Sequence, residues 1–475
     1  MKSKRNISWK ISVFALLFAV LAVISIGCAS ADTIYVPDNH TTIQQAVNNA
    51  SSGDIIIVRD GTHNENVDVN KSYLTIRSEN GSVNCIVNAA DSGDHVFNVT
   101  ANYVNITGFT VENATGTDKA GIYLNSTQHC NISANNVMNN YFGIYLYSSS
   151  NNTLTDNNAS SNNDYGIYLE SSSSNTLINN TANSNTQHGI LLYSSSNNNL
   201  TSNTVNSNTQ HGISLESSSN NTLTSNTANS NTQHGICLWY SSNNNTLTEN
   251  TANSNGCGIY LYSSSNNNTL TSNNASSNNY GIRLDSSNYN NLLSNNAYNN
   301  SYGIYPWSSS NNNLTENTAN SNHYGVYLRS SSNNSISCNL VYNNTEAGFY
   351  LIDGSTGNTI ERNNIVENGA YNGTSGGWEW NFYNDQSDNV SAKYNWWGTV
   401  VPSEIAASIN EDTGSVDYSG YLDGPSPCAP GYRQPAPIPA PIPAPAFSVI
   451  GLLALIGILS IVLAVATLKR SENNK

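Results

Sequence analysis

The sequence predicts an all-β fold, a solenoid of the parallel β-helix kind, across most of its 475 residues. A glycine recurs every 22 or 23 residues, and apolar residues and asparagines recur at fixed distances from it. Such a period indicates an array in which each repeat buries its apolar side against its neighbours. The eleven anchoring glycines are Gly121, Gly143, Gly166, Gly189, Gly212, Gly235, Gly258, Gly281, Gly303, Gly325 and Gly348.

Each repeat has room for three short strands and no helix. The G-I-Y-L segment after each glycine alternates with period 2, as a half-buried strand does, and L-T-x-N-x-A supplies a second strand and a short third one. Serine and asparagine clusters provide the turn chemistry between them. A leucine-rich repeat is the competing solenoid, because L-x-x-N-x-A is part of its signature. Here, however, the segment that would be its convex side is rich in Ser and Asn.

Two asparagine columns run through the array, one from Asn135 to Asn363 and one from Asn140 to Asn368. In a β-helix, equivalent residues of successive coils stack at about 4.8 Å. A buried asparagine can then satisfy its amide against the amides above and below it. We therefore predict asparagine ladders at two corners of the coil.

The N-terminal region is predicted to hold an export signal and a cap. Residues 1–31 combine a basic start, an apolar stretch and the small residues Ala29-Ser30-Ala31. Cys28 leaves a lipoprotein as the alternative, although Ser25 stands where a lipobox has a large aliphatic residue. Residues 32–120 are predicted to form irregular first coils. A short helix capped by Thr41 or Thr42 would cover the open end of the solenoid.

Beyond the eleven regular coils (121–368), residues 369–424 are predicted to form a degenerate last coil and a C-terminal cap, with a helix from Ser403 to Glu411. Residues 425–446 are a Pro-rich segment, expected to be a stiff spacer. Residues 447–468 are uncharged and long enough to cross a bilayer, and the basic tail 469–475 would place the C-terminus in the cytoplasm.

Composition narrows the choice of partners. The net charge is −15, which argues against nucleic acid, and we predict no cofactor. Charged residues make up 10% of the chain, against about 25% in an ordinary globular protein. The seven cysteines show no readable disulfide framework. N-x-S/T acceptors for N-linked glycans are dense, and in an exported chain we expect some to be used and many not.

The I-Q-Q-A-V segment near the start, with G-I-Y-L and N-T-L-T-x-N in the repeats, resembles the right-handed parallel β-helix proteins of the pectin-lyase-like superfamily. Within it, residues 33–424 are most similar to the NosD-type, or CASH, repeat domain of many archaeal surface proteins. This resemblance implies a right-handed single-stranded β-helix, but the fold hosts lyases, hydrolases, epimerases and non-enzymes. The tail from Pro445 resembles an archaeal sorting signal, although Ala446 departs from its usual pattern. Processing would replace the span with a lipid.

Two aromatic files face outward on the G-I-Y-L strands, and flat rings of this kind suit the stacking of sugars. Packing of rings on neighbouring coils is the alternative explanation for the same pattern. The residues predicted to bind are Tyr168, Tyr193, Trp239, Tyr260, Tyr262, Trp307 and Tyr327.

Weaker patterns leave room for catalysis or metal binding. Glu170 and Glu216 share one column two coils apart, about 9.6 Å by backbone spacing, near the upper limit for the carboxylates of an inverting glycosidase. His188, His211 and His234 also share a column and could take a transition metal, in line with the copper association of the NosD family. Duplicated repeats would produce the same histidine column without any ligand role.

We therefore expect an exported, non-catalytic, glycosylated surface protein, held by its C-terminal span or by a lipid. Its strand face would meet glycans or other envelope proteins. A polysaccharide-active lyase or glycoside hydrolase is the alternative, and a NosD-like copper-binding protein is the second alternative.

Overall fold

The computed structural model describes residues 31–374 and 377–431 as one compact unit, a parallel β-solenoid. The predicted signal up to Ser30, the span at 447–468 and the basic tail lie outside these residues. Within the described part of the chain, no helix is long and apolar enough to cross a membrane.

Three faces of parallel strands wind along the solenoid. One face, the leucine sheet, contains Thr33–Val36, Ile55–Val58, Thr75–Ser78, Asn105–Thr107, Asn131–Ser133, Thr153–Thr155, Thr176–Ile178, Asn199–Thr201, Thr222–Thr224, Thr246–Thr248, Thr269–Thr271, Asn291–Leu293, Asn313–Thr315, Ser335–Ser337, Thr359–Glu361, Val390–Ser391 and Val416–Asp417.

The second face, the aromatic sheet, follows each anchoring glycine. It contains Val67–Val69, Phe97–Val99, Ala120–Asn125, Phe142–Tyr147, Ile167–Glu170, Ile190–Tyr193, His211–Glu216, His234–Trp239, Cys257–Tyr262, Tyr280–Asp285, Tyr302–Trp307, Tyr324–Arg329, Ala347–Ile352, Phe382–Asp385 and Ile409–Glu411.

The third face is regular only towards the two ends. Its strands are Gly61–Asn64, Cys85–Asn88, Thr110–Glu112 and Asn136–Met138, and then Asn274–Ser276, Asn296–Tyr298, Thr318–Asn320, Leu340–Tyr342 and Asn364–Val366. Between the two sets, single bridges such as Thr181↔Thr204 replace strands, so the prediction of three strands per coil holds only in part. A separate hairpin joins Tyr371–Asn372 to Gly377–Trp378.

Successive coils pair in register, as the repeat predicts. On the aromatic sheet, Ile144 is paired with Ile167 and Leu146 with Leu169. On the leucine sheet, Leu200 is paired with Leu223. These columns point inward and are fully buried, so like packs on like from coil to coil and one continuous apolar core fills the solenoid.

The predicted asparagine ladders are present, with a third beside them. The Nδ2 group of Asn203 donates to Asn226 Oδ1 at 2.9 Å and to the Leu177 carbonyl at 3.0 Å, and the Asn203 backbone N–H donates to the same Asn226 oxygen. Asn208 and Asn231 repeat the pattern at the second predicted corner. The third ladder, from Asn152 to Asn358, begins the L-T strand. Each amide is satisfied inside the protein, which is the condition for burying it.

Each anchoring glycine is required by close packing against a ladder. A Cβ atom placed on Gly189 would lie 2.7 Å from the Asn208 amide nitrogen and 2.7 Å from the Ala182 carbonyl oxygen. A side chain at this position would therefore push the ladder out of register. The glycine and the asparagine therefore recur together because they pack directly against each other.

The ends agree with the prediction in part. Helix α1, Ile43–Asn49, is capped by Thr42, whose hydroxyl accepts from Gln45 N, and it buries Ile43, Ala46 and Val47. The predicted helix Ser403–Glu411 is shorter, however. Helix α2 spans Pro402–Ala407, and Ile409–Glu411 instead joins the aromatic sheet, because an inward position continues the core there.

The start of the predicted spacer packs on the solenoid. Ser426 is buried and its backbone N–H donates to Asn364 Oδ1 at 2.7 Å, while Cys428 forms a disulfide with Cys338, 90 residues earlier. The sequence had predicted a boundary after residue 424 and no readable disulfide. The remaining described cysteines, Cys85, Cys130, Cys237 and Cys257, are buried thiols.

The ladders predict a position-specific cost. Replacing Asn226 with Ala would remove the acceptor of the Asn203 backbone N–H, one acceptor of Asn203 Nδ2 and a donor to the Leu200 carbonyl, all in a dry corner. At about 1–3 kcal/mol for each unsatisfied group, we expect a loss of at least about 3 kcal/mol in the free energy of unfolding. Urea unfolding followed by circular dichroism measures this. Thr224→Ala, on the outward side of the same coil, is the control and should change stability by no more than about 0.5 kcal/mol. Equal losses in both variants would contradict the ladder interpretation.

Candidate functional site

The outward side of the aromatic sheet carries the largest concentration of rings in the described structure. Its outward columns are the second and fourth residues after each glycine, and the register confirms that Tyr123, Tyr145 and Tyr168 are direct neighbours on successive coils. The leucine sheet shows threonine, serine and asparagine on its outward side instead. A ligand that recognises rings would therefore meet the aromatic sheet.

A further column of rings lies just before the glycines, at the corner that leads into the aromatic sheet. Phe142 and Tyr165 are parallel, with ring centroids 5.3 Å apart and planes 4° apart. The stack continues from Tyr165 to His188 at 5.3 Å, and through His211 and His234 at 4.7 and 4.8 Å. Cys257 interrupts it, and Tyr280, Tyr302 and Tyr324 resume it. The three histidines are thus members of a planar ring ladder that other coils fill with Phe or Tyr.

An open cleft of about 670 Å³ lies where this corner meets the first regular coils. Tyr145 and Tyr168 form one wall, stacked at 4.8 Å with planes 5° apart, and Phe142 and Tyr165 form another. The corner also widens at this place: two residues lie between Asn140 and Gly143, and three lie between Asn162 and Gly166. The extra residue in this corner, Asn163, directly precedes Asp164 and Tyr165, which line the cleft.

Three carboxyl groups line the cleft, and no lysine or arginine is among its lining residues. Asp164 is 5% exposed, and its Oδ1 has no hydrogen-bond partner in the described structure. Burial raises the pKa of Asp164 to about 6. Glu170 accepts a 2.5 Å hydrogen bond from the Tyr145 hydroxyl, and Asp118 is exposed at the rim. The cleft therefore combines walls of stacked aromatic rings with carboxyl groups that accept hydrogen bonds.

A second ring cluster lies on the same sheet between residues 260 and 350. At its centre, the Arg283 guanidinium lies over Tyr260 at 4.9 Å and over Trp307 at 5.2 Å, and it pairs with Asp285 at 3.0 Å. Tyr327 stacks on Tyr350 at 4.7 Å. Here the rings hold an arginine in cation–π contacts, so much of their surface is already covered.

The structure divides the residues predicted to bind between these clusters. Tyr168 belongs to the cleft, whereas Tyr260, Trp307 and Tyr327 belong to the second cluster. Tyr262 stacks beside Tyr260 at 5.6 Å.

Tyr193 and Trp239 lie between the clusters. Tyr193 is 43% exposed, and Trp239 packs edge-on against His211 and donates its indole N–H to Ser214.

The two predicted carboxylates do share a column, with Tyr193 between them. Glu170 pairs in register with Tyr193, which pairs with Glu216. Glu170 lines the cleft, but Glu216 is not among the cleft residues. Burial raises the pKa of Glu216 as well. The structure therefore groups Glu170 with Asp164 and Asp118 in one cleft and leaves Glu216 outside it.

Asp118, Phe142, Asp164 and Tyr165 were missed by the sequence analysis, which concentrated on the residues after each glycine. The ring column before the glycine was visible in the alignment of the repeats, since eight of the eleven coils carry Phe, Tyr or His there. The convergence of Asp118 with Asp164 was not visible, because Asp118 lies in an irregular turn with φ of +62°.

Comparison with known families identifies the repeat. Residues 94–252 match the model of the right-handed β-helix region, and residues 204–301 and 261–400 match that of the periplasmic copper-binding protein NosD. The chain is a right-handed parallel β-helix of the NosD repeat type.

Individual relatives of this NosD-type β-helix are distant. A cell surface glycoprotein of Methanothermus fervidus is 36% identical over 140 residues, which are 28% of this chain and 22% of the relative. The chain thus matches only about a fifth of that relative's length. Among solved structures, the catalytic domain of a GH87 α-1,3-glucanase bound to tetrasaccharides has a TM-score of 0.50 at 16% identity, covering 70% of each chain. The periplasmic alginate epimerase AlgG has a TM-score of 0.43 at 19% identity, covering 69% of this chain and 85% of its own. Identities this low speak for the fold alone.

The histidine column of this NosD-type β-helix does not fit a shared copper ion. Lone pairs of imidazole nitrogens lie in the ring plane, and the planes of His188, His211 and His234 are parallel within 10°. No single point lies in the lone-pair direction of two such rings. The described residues also contain no group of three or more His, Cys, Asp or Glu side chains placed to hold a metal ion.

The ring ladder predicts that His211 can be replaced by phenylalanine but not by alanine. Burial lowers the pKa of His211 to about 2 and those of His188 and His234 to about 4, so all three are neutral in the folded protein. The unfolded chain takes up protons below about pH 6.5, so each histidine reduces stability as the pH falls below that value. At pH 5 the loss is about 2 kcal/mol per ring.

We therefore expect His211→Phe to unfold in urea like the native protein at pH 7 and to be about 2 kcal/mol more stable than it at pH 5. Asp164, with its raised pKa, acts in the opposite direction, but it is present in both proteins and its effect cancels. His211→Ala serves as the comparison, and by opening a cavity in the stack it should lose about 2–4 kcal/mol at pH 7 and about 2 kcal/mol less than that at pH 5, because it also lacks the histidine. Equal destabilisation by Phe and Ala would refute a stacking role.

Proposed function

We propose that this NosD-type β-helix is an exported surface glycoprotein that binds glycan, without hydrolysing it, in the cleft of the aromatic sheet. The observation that carries the proposal is the buried Asp164 carboxyl, with an unpartnered oxygen, on a cleft walled by parallel rings. The cell surface glycoprotein of Methanothermus fervidus supports the location. The predicted signal and the apolar run 447–468 supply export and an anchor.

The walls suit the apolar faces of sugar rings. Sugars combine C–H faces, which pack on aromatic rings, with hydroxyl groups, which need hydrogen-bond partners when they are removed from water. Tyr145 and Tyr168 stack face to face across two coils, so they present their ring edges and hydroxyl groups to the cleft. Asp118, Asp164 and Glu170 offer acceptors beside it. The cleft is open along the sheet, so it suits an internal stretch of a polymer better than an enclosed small molecule.

Charge limits the class of glycan. Three carboxyls line the cleft without a lysine or arginine to balance them, and the one histidine there, His95, is neutral because burial lowers its pKa to about 4. A uronate polymer would bring a like charge to within a few ångströms of these groups, which is unfavourable. We therefore propose neutral or amino-sugar glycans as the ligands.

Glycoside hydrolysis is the second candidate, and one observation favours it. A carboxyl with a pKa near 6, as at Asp164, beside a second carboxyl, as at Glu170, is the pairing that hydrolases use for acid and base roles. This pair replaces Glu170 and Glu216 as the candidates. Release of reducing ends from a bound glycan would distinguish hydrolysis from binding, and Asp164→Asn would abolish it.

Binding itself is tested with variants of the cleft. Tyr168→Ala removes one aromatic ring from the cleft. We expect the dissociation constant to rise 3- to 10-fold, because such a contact contributes about 0.5–1.5 kcal/mol. Asp164→Asn keeps the size of the side chain and should weaken binding to a similar extent. Isothermal titration of the purified protein with soluble neutral glucan, chito-oligosaccharide and alginate fragments measures both variants and tests the charge argument.

Tyr289→Ala provides the matched control, because Tyr289 is 61% exposed and lies on a corner away from the aromatic sheet. Its affinity should equal that of the native protein. Binding of alginate with no binding of neutral or amino-sugar glycans would contradict the charge argument. An equal loss in Tyr168→Ala and Tyr289→Ala would remove the cleft as the site.

A further inference from the structure

N-linked acceptor sites are distributed unevenly over the coil. Every asparagine of an N-x-S/T triplet in residues 31–374 and 377–431 is exposed or half-buried. None of the buried asparagines of the three ladders stands in such a triplet, although several are followed directly by threonine, as Asn175, Asn203 and Asn226 are. The separation is complete in a chain in which asparagine fills both classes of position.

Strand geometry explains the separation. Residues i and i+2 of a strand point to the same side. Two residues after the ladder asparagines Asn152 and Asn157 come Leu154 and Ala159, which fill the core. A serine or threonine there would bury a hydroxyl among leucines. At these two ladders an acceptor triplet is therefore compatible only with an asparagine whose side chain faces solvent. At the second ladder the residue two places later is not in the core, as with Gln187, and there the burial of the asparagine itself excludes a glycan.

One corner collects the most regular set of acceptors. It immediately precedes the third ladder, where the sequence reads N-N-T or N-N-S and the first asparagine is exposed with φ near +60°. Asparagine tolerates this left-handed conformation better than most residues. This acceptor corner comprises Asn151, Asn220, Asn244, Asn267 and Asn333. The adjoining leucine sheet adds outward acceptors at Asn105, Asn131, Asn199 and Asn313.

The aromatic sheet, by contrast, has no acceptor from Phe142 to Ile352. Its fourth column is followed by Ser-Ser after Tyr147, Glu170, Tyr193 and Glu216, so a single asparagine would complete a triplet in each coil. Asn125 stands in this column at the N-terminal end of the cleft, on the strand of Tyr123, and it does complete one. In the following coils the column holds Tyr, Glu, Trp, Asp, Arg or Ile instead.

We propose that N-linked glycans cover the acceptor corner and the leucine sheet, while the aromatic sheet from Phe142 to Ile352 is left bare as the contact face of the rod. The placement of the glycans rests on burial and strand geometry. The description of the bare sheet as the contact face rests on the proposed function. The two parts are tested separately.

Glycopeptide mass spectrometry of the protein purified from the cells that produce it tests the placement. Glycan is expected at the acceptor corner, with Asn151, Asn220, Asn244, Asn267 or Asn333 occupied, and at none of the ladder asparagines. An unmodified acceptor corner would overturn the placement, and so would glycan on any ladder asparagine. This result does not depend on whether the protein binds a polysaccharide.

Two engineered acceptors in the full chain test the contact face. Ser174→Asn completes a triplet on the acceptor corner, because Asn175-Thr176 follows, and Glu216→Asn completes one on the aromatic sheet. Both should gain the mass of one glycan in a host with N-glycosylation. We expect Ser174→Asn to bind the neutral glucan or chito-oligosaccharide as tightly as the native protein does. The dissociation constant of glycosylated Glu216→Asn should rise at least 10-fold.

Glu216→Asn made in a host without N-glycosylation is the matched control, since only the glycan differs. Restored affinity in that preparation would support the bare contact face. Native affinity in the glycosylated form would overturn it. A loss in both preparations would place the Glu216 side chain itself in the contact, which supports the same face.

Discussion

The amide ladders are the constraint on which the structure depends. A β-helix coil must turn three corners, and each corner brings backbone groups into a dry interior. The ladder asparagines satisfy those groups and each other at once. The Nδ2 group of Asn250, for example, donates to Oδ1 of Asn273 and to the backbone carbonyl of Leu223. Because every amide is both donor and acceptor, each coil completes the coil before it. Removing one member affects two neighbours, which makes the rod stable only as an array.

The same ladders decide which positions are free to carry function. At the first and third ladders, strand alternation sends the residue two places after the asparagine inward as well, and an apolar residue such as Leu154 or Ala159 fills the core there. The anchoring glycine is required by the ladder amide beside it, as at Gly189. Variation is therefore confined to the outward columns and the corners. The rings, the carboxyls of the cleft and the glycan acceptors all lie in this limited set of positions.

The sequence could predict the repeated features because an array shows each physical constraint many times. The strand order, the register, the buried columns and the two corner ladders were all visible as columns. Features that occur once were not. The disulfide joins Cys338 to Cys428 across 90 residues, from a repeat to a segment outside it. Asp118 reaches the cleft from a turn of the last irregular coil.

Some misses had a readable signal. In the four coils that end at Gly166, Gly189, Gly212 and Gly235, the corner before the glycine has one residue more than in the coil that ends at Gly143. In those coils the third segment makes single bridges rather than a strand. The third strand was predicted everywhere because its residue types recur everywhere. A longer corner therefore accompanies the reduced pairing in these four coils, but it does not by itself cause it, because the coil that ends at Gly348 has the same corner length and keeps the strand Leu340–Tyr342.

The surroundings of the rings decide whether space remains beside them. Where the corner widens at Asn163, Asp164 and Tyr165 stand next to Tyr141 and Phe142 of a narrower corner, and a cleft remains between coils. Where successive corners have equal length, as from His188 to His234, the rings lie directly over one another and leave no space. In the second cluster, the Arg283 guanidinium fills the space between Tyr260 and Tyr280. The cleft therefore remains where no basic side chain fills the space beside the rings, as Arg283 does in the second cluster.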